Sequence, residues 1–397
     1  MKPSLLILLL FVLCCCGRKS ANEINNNGSV TEVDLLSEPG STVKKLSEIA
    51  SEVKYVPLQT IAGSLMGNII KKIVKIGDRI YVQNIDEILC FNMEGKFLFK
   101  LENTGRGPEE YSYIEDFDVS SDDKNLALLS GKKLLFYDIS ASGFHFQRSI
   151  TLKDPAPYRV STVPETDNLF LAIPPWAGNE ATLSLLINTN GDTIHYKPNC
   201  YQYENVRKAN FRASNESILY TSGDNVCFKE RFSDTVFYIN ANENYFRPRI
   251  IFNSHGTTMT PEMRGGSEPV GNNTTFIANI FGTPRYVFYY YMSADQTRNR
   301  LFFDRKTNTR FKINIESELK DDLSGGPDFN IEFLNSYCSG GSLFSLVDAL
   351  TLKKYIASDD FIKAQVKEPK KKDALKRLDD SLKDTDNPVL VMVRMKE

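Results

Sequence analysis

The stretch Ile73-Val74-Lys75-Ile76-Gly77-Asp78-Arg79-Ile80-Tyr81-Val82 reads as two short β-strands joined by a polar turn. β-Branched and aromatic residues fill both arms, and Gly77-Asp78 supplies the backbone freedom that a tight hairpin needs. Moving outward, Ile88-Leu89-Cys90-Phe91-Asn92, the turn Met93-Glu94-Gly95-Lys96 and Phe97-Leu98-Phe99-Lys100-Leu101 follow. Four short strands therefore succeed one another with only turns between them. The set returns 46 residues later, counted from Asp78 to Lys124 or from Cys90 to Phe136. Its members there are Phe117-Asp118-Val119, Asn125-Leu126-Ala127-Leu128-Leu129, Lys133-Leu134-Leu135-Phe136-Tyr137-Asp138 and Phe146-Gln147-Arg148-Ser149-Ile150. A four-stranded unit recurring every ~40–50 residues is the signature of a β-propeller blade.

Weaker copies extend along the chain. They are residues 168–173 with 183–187, 217–220 with 225–228 and 235–239, 286–291 with 300–304 and 311–313, and 329–333 with 342–347. Six groups predict six blades. Glu52–Leu58 and Val389–Met395 alternate like strands but stand alone at opposite ends. Pairing them closes the ring and protects the edges that an open sheet leaves unpaired. Leu375, Leu378 and Leu382 recur at helical spacing, and Asn387-Pro388 stops that helix. The expected fold is all-β: a six-bladed β-propeller of four-stranded antiparallel blades, closed by the N- and C-terminal strands, with a short helix near the C-terminus.

At the N-terminus, Lys2 precedes an unbroken apolar run from Leu5 to Leu13. That is the layout of an export signal, too short for a span of roughly 20 apolar residues. The run meets Cys14-Cys15-Cys16-Gly17. Leu13-Cys14-Cys15-Cys16 resembles the bacterial lipobox, with Cys16 as the acylated lipid anchor. Residues 1–15 are then a lipoprotein signal peptide, residues 16–45 a tether rich in Asn, Ser and Glu, and residues 46–397 the propeller.

Formal net charge is −2 with both signs well mixed, which argues against a nucleic-acid binder. Cys90, Cys200, Cys227 and Cys338 are far apart and match no metal or redox motif, and neither do His145, His195 and His255. No metal, cofactor or catalytic set is expected, and the cysteines read as mostly buried free thiols.

Three places are candidate ligand contacts. Gly105-Arg106-Gly107-Pro108-Glu109-Glu110-Tyr111 looks like a phosphate loop but lacks Gly-Lys-Ser/Thr and leads into a strand. It reads as an inter-blade turn, with Arg106, Glu109 and Tyr111 as contacts if it binds. Lys229, Glu230, Arg231 and Asp234 read as a rim salt-bridge set, or as a binding edge through Lys229, Arg231 and Asp234. Trp176, the sole tryptophan, stands in a Pro- and Gly-bounded loop, either packed over its blade or presented for stacking.

Val53-Lys54-Tyr55-Val56-Pro57-Leu58-Gln59-Thr60, the Gly105–Tyr111 loop with Phe117-Asp118-Val119, Phe228–Val236 and Leu382–Arg394 resemble the six-bladed propeller lipoproteins of Bacteroides and relatives, related in pattern to NHL and TolB-like propellers. That resemblance spans the mature chain and implies fold rather than activity. It implies an outer-membrane lipoprotein, and Gly17-Arg18-Lys19-Ser20 lacks an acidic surface-export run, which favours the periplasmic face. Asp192-Thr193-Ile194, Asp234-Thr235-Val236 and Asp380-Ser381-Leu382 resemble short O-glycosylation acceptors of the same phylum. The expected function is a membrane-anchored binding or scaffolding propeller whose partner is an envelope protein, a peptide or a glycan. The alternative is a propeller hydrolase or lyase with a site built from loops of several blades. A purely structural envelope component, with no pocket, is a third reading.

The anchor assignment predicts that a metabolic fatty-acid probe labels the wild-type chain and not Cys16→Ala. Retained label would move the anchor to a neighbouring cysteine.

Overall fold

The computed structural model describes residues 30–67, 69–206, 216–243, 245–271, 273–293, 295–313, 319–331 and 337–397. Cys16 and the run read as an export signal lie outside the described residues. Among the described residues no helix is long and apolar enough to cross a membrane.

The chain forms six sheets arranged as blades around a central channel. Blade 1 is Ile70–Ile76, Arg79–Asn84, Glu87–Asn92 and Phe97–Leu101. Blade 2 is Asp116–Val119, Asn125–Ser130, Lys133–Ser140 and Gly143–Thr151. Blade 3 is Arg159–Thr162, Leu169–Ala172, Thr182–Ile187 and Thr193–Pro198. Blade 4 runs through Ser217–Ser222, Asn225–Glu230, Thr235–Ile239 and Arg247–Asn253, and blade 5 through Phe276–Gly282, Tyr286–Met292, Arg298–Asp304 and Thr309–Ile313. In each of these the first strand is innermost and the rest follow outward as an antiparallel meander. The 46-residue register read from the sequence holds: Cys90 and Phe136 both lie on third strands.

Blade 6 differs. Cys338–Ser339 and Ser342–Val347 supply its two inner strands, Val389–Met395 the third and Ala50–Pro57 the outermost. The two end strands pair antiparallel, Val389 opposite Pro57 and Val393 opposite Val53. This is the closure that the lone terminal strands predicted.

Apolar side chains between neighbouring blades hold the ring. Tyr81, Cys90, Phe117 and Leu128 fill the layer between blades 1 and 2, and Phe170, Leu186, Val226 and Phe228 the layer between blades 3 and 4. Cys90 and Cys227 are buried free thiols, whereas Cys338 is half-buried and Cys200 exposed.

Two features depart from the plain repeat. Residues 31–43 fall in the stretch read as tether, yet Thr31–Asp34 adds a parallel strand to the outer edge of blade 4 and Thr42–Val43 does the same for blade 5. The reason is apolar spacing: Val33, Leu35 and Val43 are buried within an otherwise polar run. The second is an insert of three helices, Ala349–Ile356, Asp359–Lys363 and Pro369–Ser381, between two strands of blade 6. The predicted leucine face is real, since Leu375 and Leu382 pack with Leu352, Phe361 and Val389.

A loop before blade 6 ties these pieces together. Asp321 accepts hydrogen bonds from the backbone N–H groups of Leu323 (3.1 Å), Ser324 (2.9 Å) and Gly326 (3.2 Å), and from the hydroxyls of Tyr55 (3.0 Å) and Ser324. Asp322 accepts from the Ser47 N–H (3.0 Å) and hydroxyl (2.6 Å) and faces Lys367 at 3.4 Å. The adjacent aspartates thus join the closing strand, the N-terminal segment and the helical insert. Gly326 lies against the Tyr55 hydroxyl, where a methyl group has no room.

Asp321→Ala therefore strands several buried donors, and a stability loss of about 3 kcal/mol or more is expected in denaturant unfolding. Gly326→Ala should destabilise by displacing Tyr55. A wild-type midpoint in Asp321→Ala would show that the knot does not support closure.

Candidate functional site

The meander sorts the turns onto two faces. First strands run inward from one face, so each blade is entered there, and the connection between the second and third strands returns to it. We call this the entry face. The opposite face carries tight turns such as Gly77-Asp78 and Gly340-Gly341. The entry face carries the inter-blade connections and the helical insert. Long loops held by a rigid ring are where binding residues are usually built.

The channel is a cavity of about 980 Å³. First strands of all six blades, or the residues just preceding them, line it. Adjacent first strands fan apart, so their N–H groups cannot all pair across blades, and buried donors need a partner. Two carboxylates of blade 2 supply it. Asp116 accepts from the Val160 N–H at 3.0 Å and is held by Lys72 at 2.9 Å. Lys72 also donates to the Phe117 carbonyl at 2.5 Å. Asp118 accepts from the Thr162 N–H (2.9 Å) and the hydroxyls of Ser161 (2.9 Å) and Thr162 (3.2 Å). Burial raises the pKa of Asp118, opposed by Lys72 and these donors. Ser339 reaches blade 1, accepting from the Lys75 N–H and donating to its carbonyl. These groups act as struts between blades.

At the entry mouth stand Lys71, Tyr113, Glu115, Tyr158 and Arg159. Burial raises the Glu115 pKa, while its contact with Tyr113 and the charges of Arg159 and Lys71 oppose the rise. The Arg159 guanidinium lies over the Tyr158 ring, 5.1 Å from its centroid. Trp176 meets the same tyrosine edge to face at 5.3 Å. Sequence reasoning missed this mouth because its residues come from three blades and share no local motif. The 46-residue register carries the only signal, placing Ile70 level with Asp116 on adjacent first strands.

The residues singled out from sequence lie at or just after the ends of strands that finish on the entry face, but they do not form one site. Arg106 and Glu109 are exposed. Tyr111 is only 1% exposed. It is a packing residue: its hydroxyl accepts from the Asn103 N–H at 3.1 Å and lies 2.9 Å from the Asp86 carbonyl, and burial pushes its pKa up to about 12. Lys133 donates to the carbonyls of Gly107 and Glu110, both at 2.8 Å, so the loop is a braced turn.

Trp176 and Arg231 do come together, around Glu216. Arg264 donates to the Glu216 carboxylate at 2.8 Å, and Trp176 and Arg231 face it too. Burial, opposed by these groups, raises the Glu216 pKa. Arg231 lies 4.0 Å from the centroid of the Phe276 ring, and burial lowers its pKa to about 10.

Lys229, Glu230, Arg231 and Asp234 are not a rim salt-bridge set. Strand alternation turns Glu230 toward blade 3, where it binds Lys197 (2.5 Å) and Ser184 (3.0 Å). Lys229 is buried, and its ammonium donates to the Glu230 carbonyl at 3.2 Å. Burial, aided by Arg231, lowers its pKa to about 7. Asp234 is exposed and bonded to Thr235 at 2.8 Å.

The depressed pKa fixes a sign. Lys229 keeps a proton in the unfolded chain that it releases in the folded one between about pH 7 and 10.5, so it costs most stability near and below pH 7, and the cost fades as pH rises. Lys229→Met should stabilise the protein by about 2–4 kcal/mol at pH 7. The advantage over wild type should shrink by pH 9.5 in denaturant titrations. An advantage independent of pH would contradict the assignment.

One comparison with a known structure supports the fold. A Bacteroides fragilis protein described as exported aligns with a TM-score of 0.65 at 18% identity, covering 93% of this chain and 100% of that one. A DUF4221 family member from Bacteroides vulgatus aligns at 0.49 and 10% identity, covering 87% and 97%. Comparison with curated proteins finds no match. A family model described as a domain of unknown function, DUF4934, matches residues 30–394, and the chain belongs to that family.

Proposed function

We propose that the chain is a ligand-binding propeller of the bacterial envelope, anchored through Cys16 and receiving its ligand in the channel from the entry face. The observation that carries the reading is the cavity of about 980 Å³, whose size suits a small ligand or a chain segment. A scaffold without a pocket has no use for it. The hydrolase or lyase reading needs carboxylates free to move protons. Of the channel carboxylates, Asp116 and Asp118 are engaged with blade 3 and Lys72 and Glu115 faces Arg159 and Lys71, which favours binding. The exported Bacteroides fragilis neighbour and the lipobox-like Leu13–Cys16 support an envelope address, and the outer membrane with its periplasmic face is the placement we infer.

Thr221 is an exposed channel-lining residue on the first strand of blade 4. An indole at that position projects into the channel and narrows it below the mouth. Immobilised glycan and peptide libraries probed with the full chain should retain the wild type, and Thr221→Trp should lose at least about tenfold in apparent affinity with its melting temperature unchanged. Wild-type binding by Thr221→Trp, or no binding by either, would contradict the reading.

A further inference from the structure

We propose that the channel ligand is an acidic oligosaccharide, its carboxylate held at the entry mouth by Lys71 and Arg159. This rests on the reading of the channel as a binding site.

The argument begins with the cations. Four line the channel: Lys71, Lys72, Lys75 and Arg159. Lys72 is bound to Asp116 at 2.9 Å. Lys75 bends back to the Gly77 carbonyl at 3.3 Å, near the opposite face. Lys71 and Arg159 make no ion pair within 4.0 Å among the described residues, although each feels the charge of Glu115. The acids do not balance them. Asp116 and Asp118 are engaged between blades, and Asp224 lies in the turn after the first strand of blade 4, at the far end. Glu115 is the one acid beside these two cations, and it feels the charge of both. The mouth therefore holds two cations to one acid. A planar guanidinium fixed over a tyrosine ring is a good partner for a carboxylate.

Below the mouth the channel offers hydroxyls and amides, including Gln83, Ser217, Thr221, Asn279 and Ser345. Tyr113, 43% exposed, and Tyr158 flank the opening and offer ring faces with polar tips. Rings beside many hydrogen-bonding groups suit a hydroxylated ring better than a run of apolar side chains. The free cations add the requirement for an acid.

Trp176 is the sole tryptophan and touches Tyr158, so its fluorescence reports on the mouth. The full chain, purified in detergent, is titrated with trigalacturonate and with its neutral galactose counterpart, with calorimetry in parallel. Trigalacturonate should bind at least about tenfold more tightly than the neutral sugar. Arg159→Met and Lys71→Met should each weaken trigalacturonate by about tenfold, with unchanged melting and neutral-sugar affinity, and Arg159→Lys should recover part of the loss. Equal affinity for the two sugars, or wild-type affinity in Arg159→Met, overturns the inference. An acidic hexapeptide that binds where trigalacturonate does not also overturns it, in favour of a peptide. Neutral glycan binding lost in Thr221→Trp would overturn only the acidic assignment, and failure of every sugar and peptide would remove the channel reading as well.

Discussion

The antiparallel pairing of Val389–Met395 with Ala50–Pro57 joins the two ends of a chain that would otherwise be an open fan of sheets. Without it, blade 6 loses its outermost strand and keeps only Cys338–Ser339, Ser342–Val347 and Val389–Met395, and the N-terminal segment is no longer tied to the last blade. Main-chain pairing alone is sequence-tolerant. The added specificity comes from Asp321 and Asp322, which hold Tyr55 of the closing strand and Ser47 of the segment before it. One short loop thus commits the terminal strand to its place and seats the helical insert beside it.

Closure also explains the channel. Six blades in a ring put six first strands around one axis, and their divergence leaves N–H groups facing a gap. Asp116 and Asp118 bridge that gap between blades 2 and 3. These two acids, placed where catalytic groups could stand, are therefore supports. What the supports leave unoccupied is the mouth, where Lys71 and Arg159 stand beside Tyr113 and Tyr158. The long loops of the entry face gather there because the meander returns every inter-blade connection to that side.

Much of the fold was legible in the sequence because strand period and turn chemistry are local. Blades 1 and 2 share a strict 46-residue repeat, and Val389–Met395 announces itself by alternation. The N-terminal strap was not legible: Val33 and Leu35 are too few to mark a strand in a polar run, and their partner strand is more than 200 residues away. Asp321 reads as an ordinary turn residue until Tyr55 is brought to it. The mouth was least legible. Trp176 drew notice as a lone indole, and Arg231 as part of a charge run, but Glu216, which they both face, and Arg159 carry no local pattern. Tyr111 misled because an aromatic in a Gly-rich loop looks exposed, whereas it fills the layer between blades 1 and 2.

The central claim is that function resides in the channel, reached from the entry face. Hydrogen–deuterium exchange of the full chain with and without a ligand recovered from library binding tests it most directly. Ligand should slow exchange in the first strands, Ile70–Ile76, Asp116–Val119 and Arg159–Thr162, and at residues 113–115 and 158, while outer strands such as Thr193–Pro198 exchange as before. Protection confined to outer strands or to the tight turns of the opposite face would contradict it.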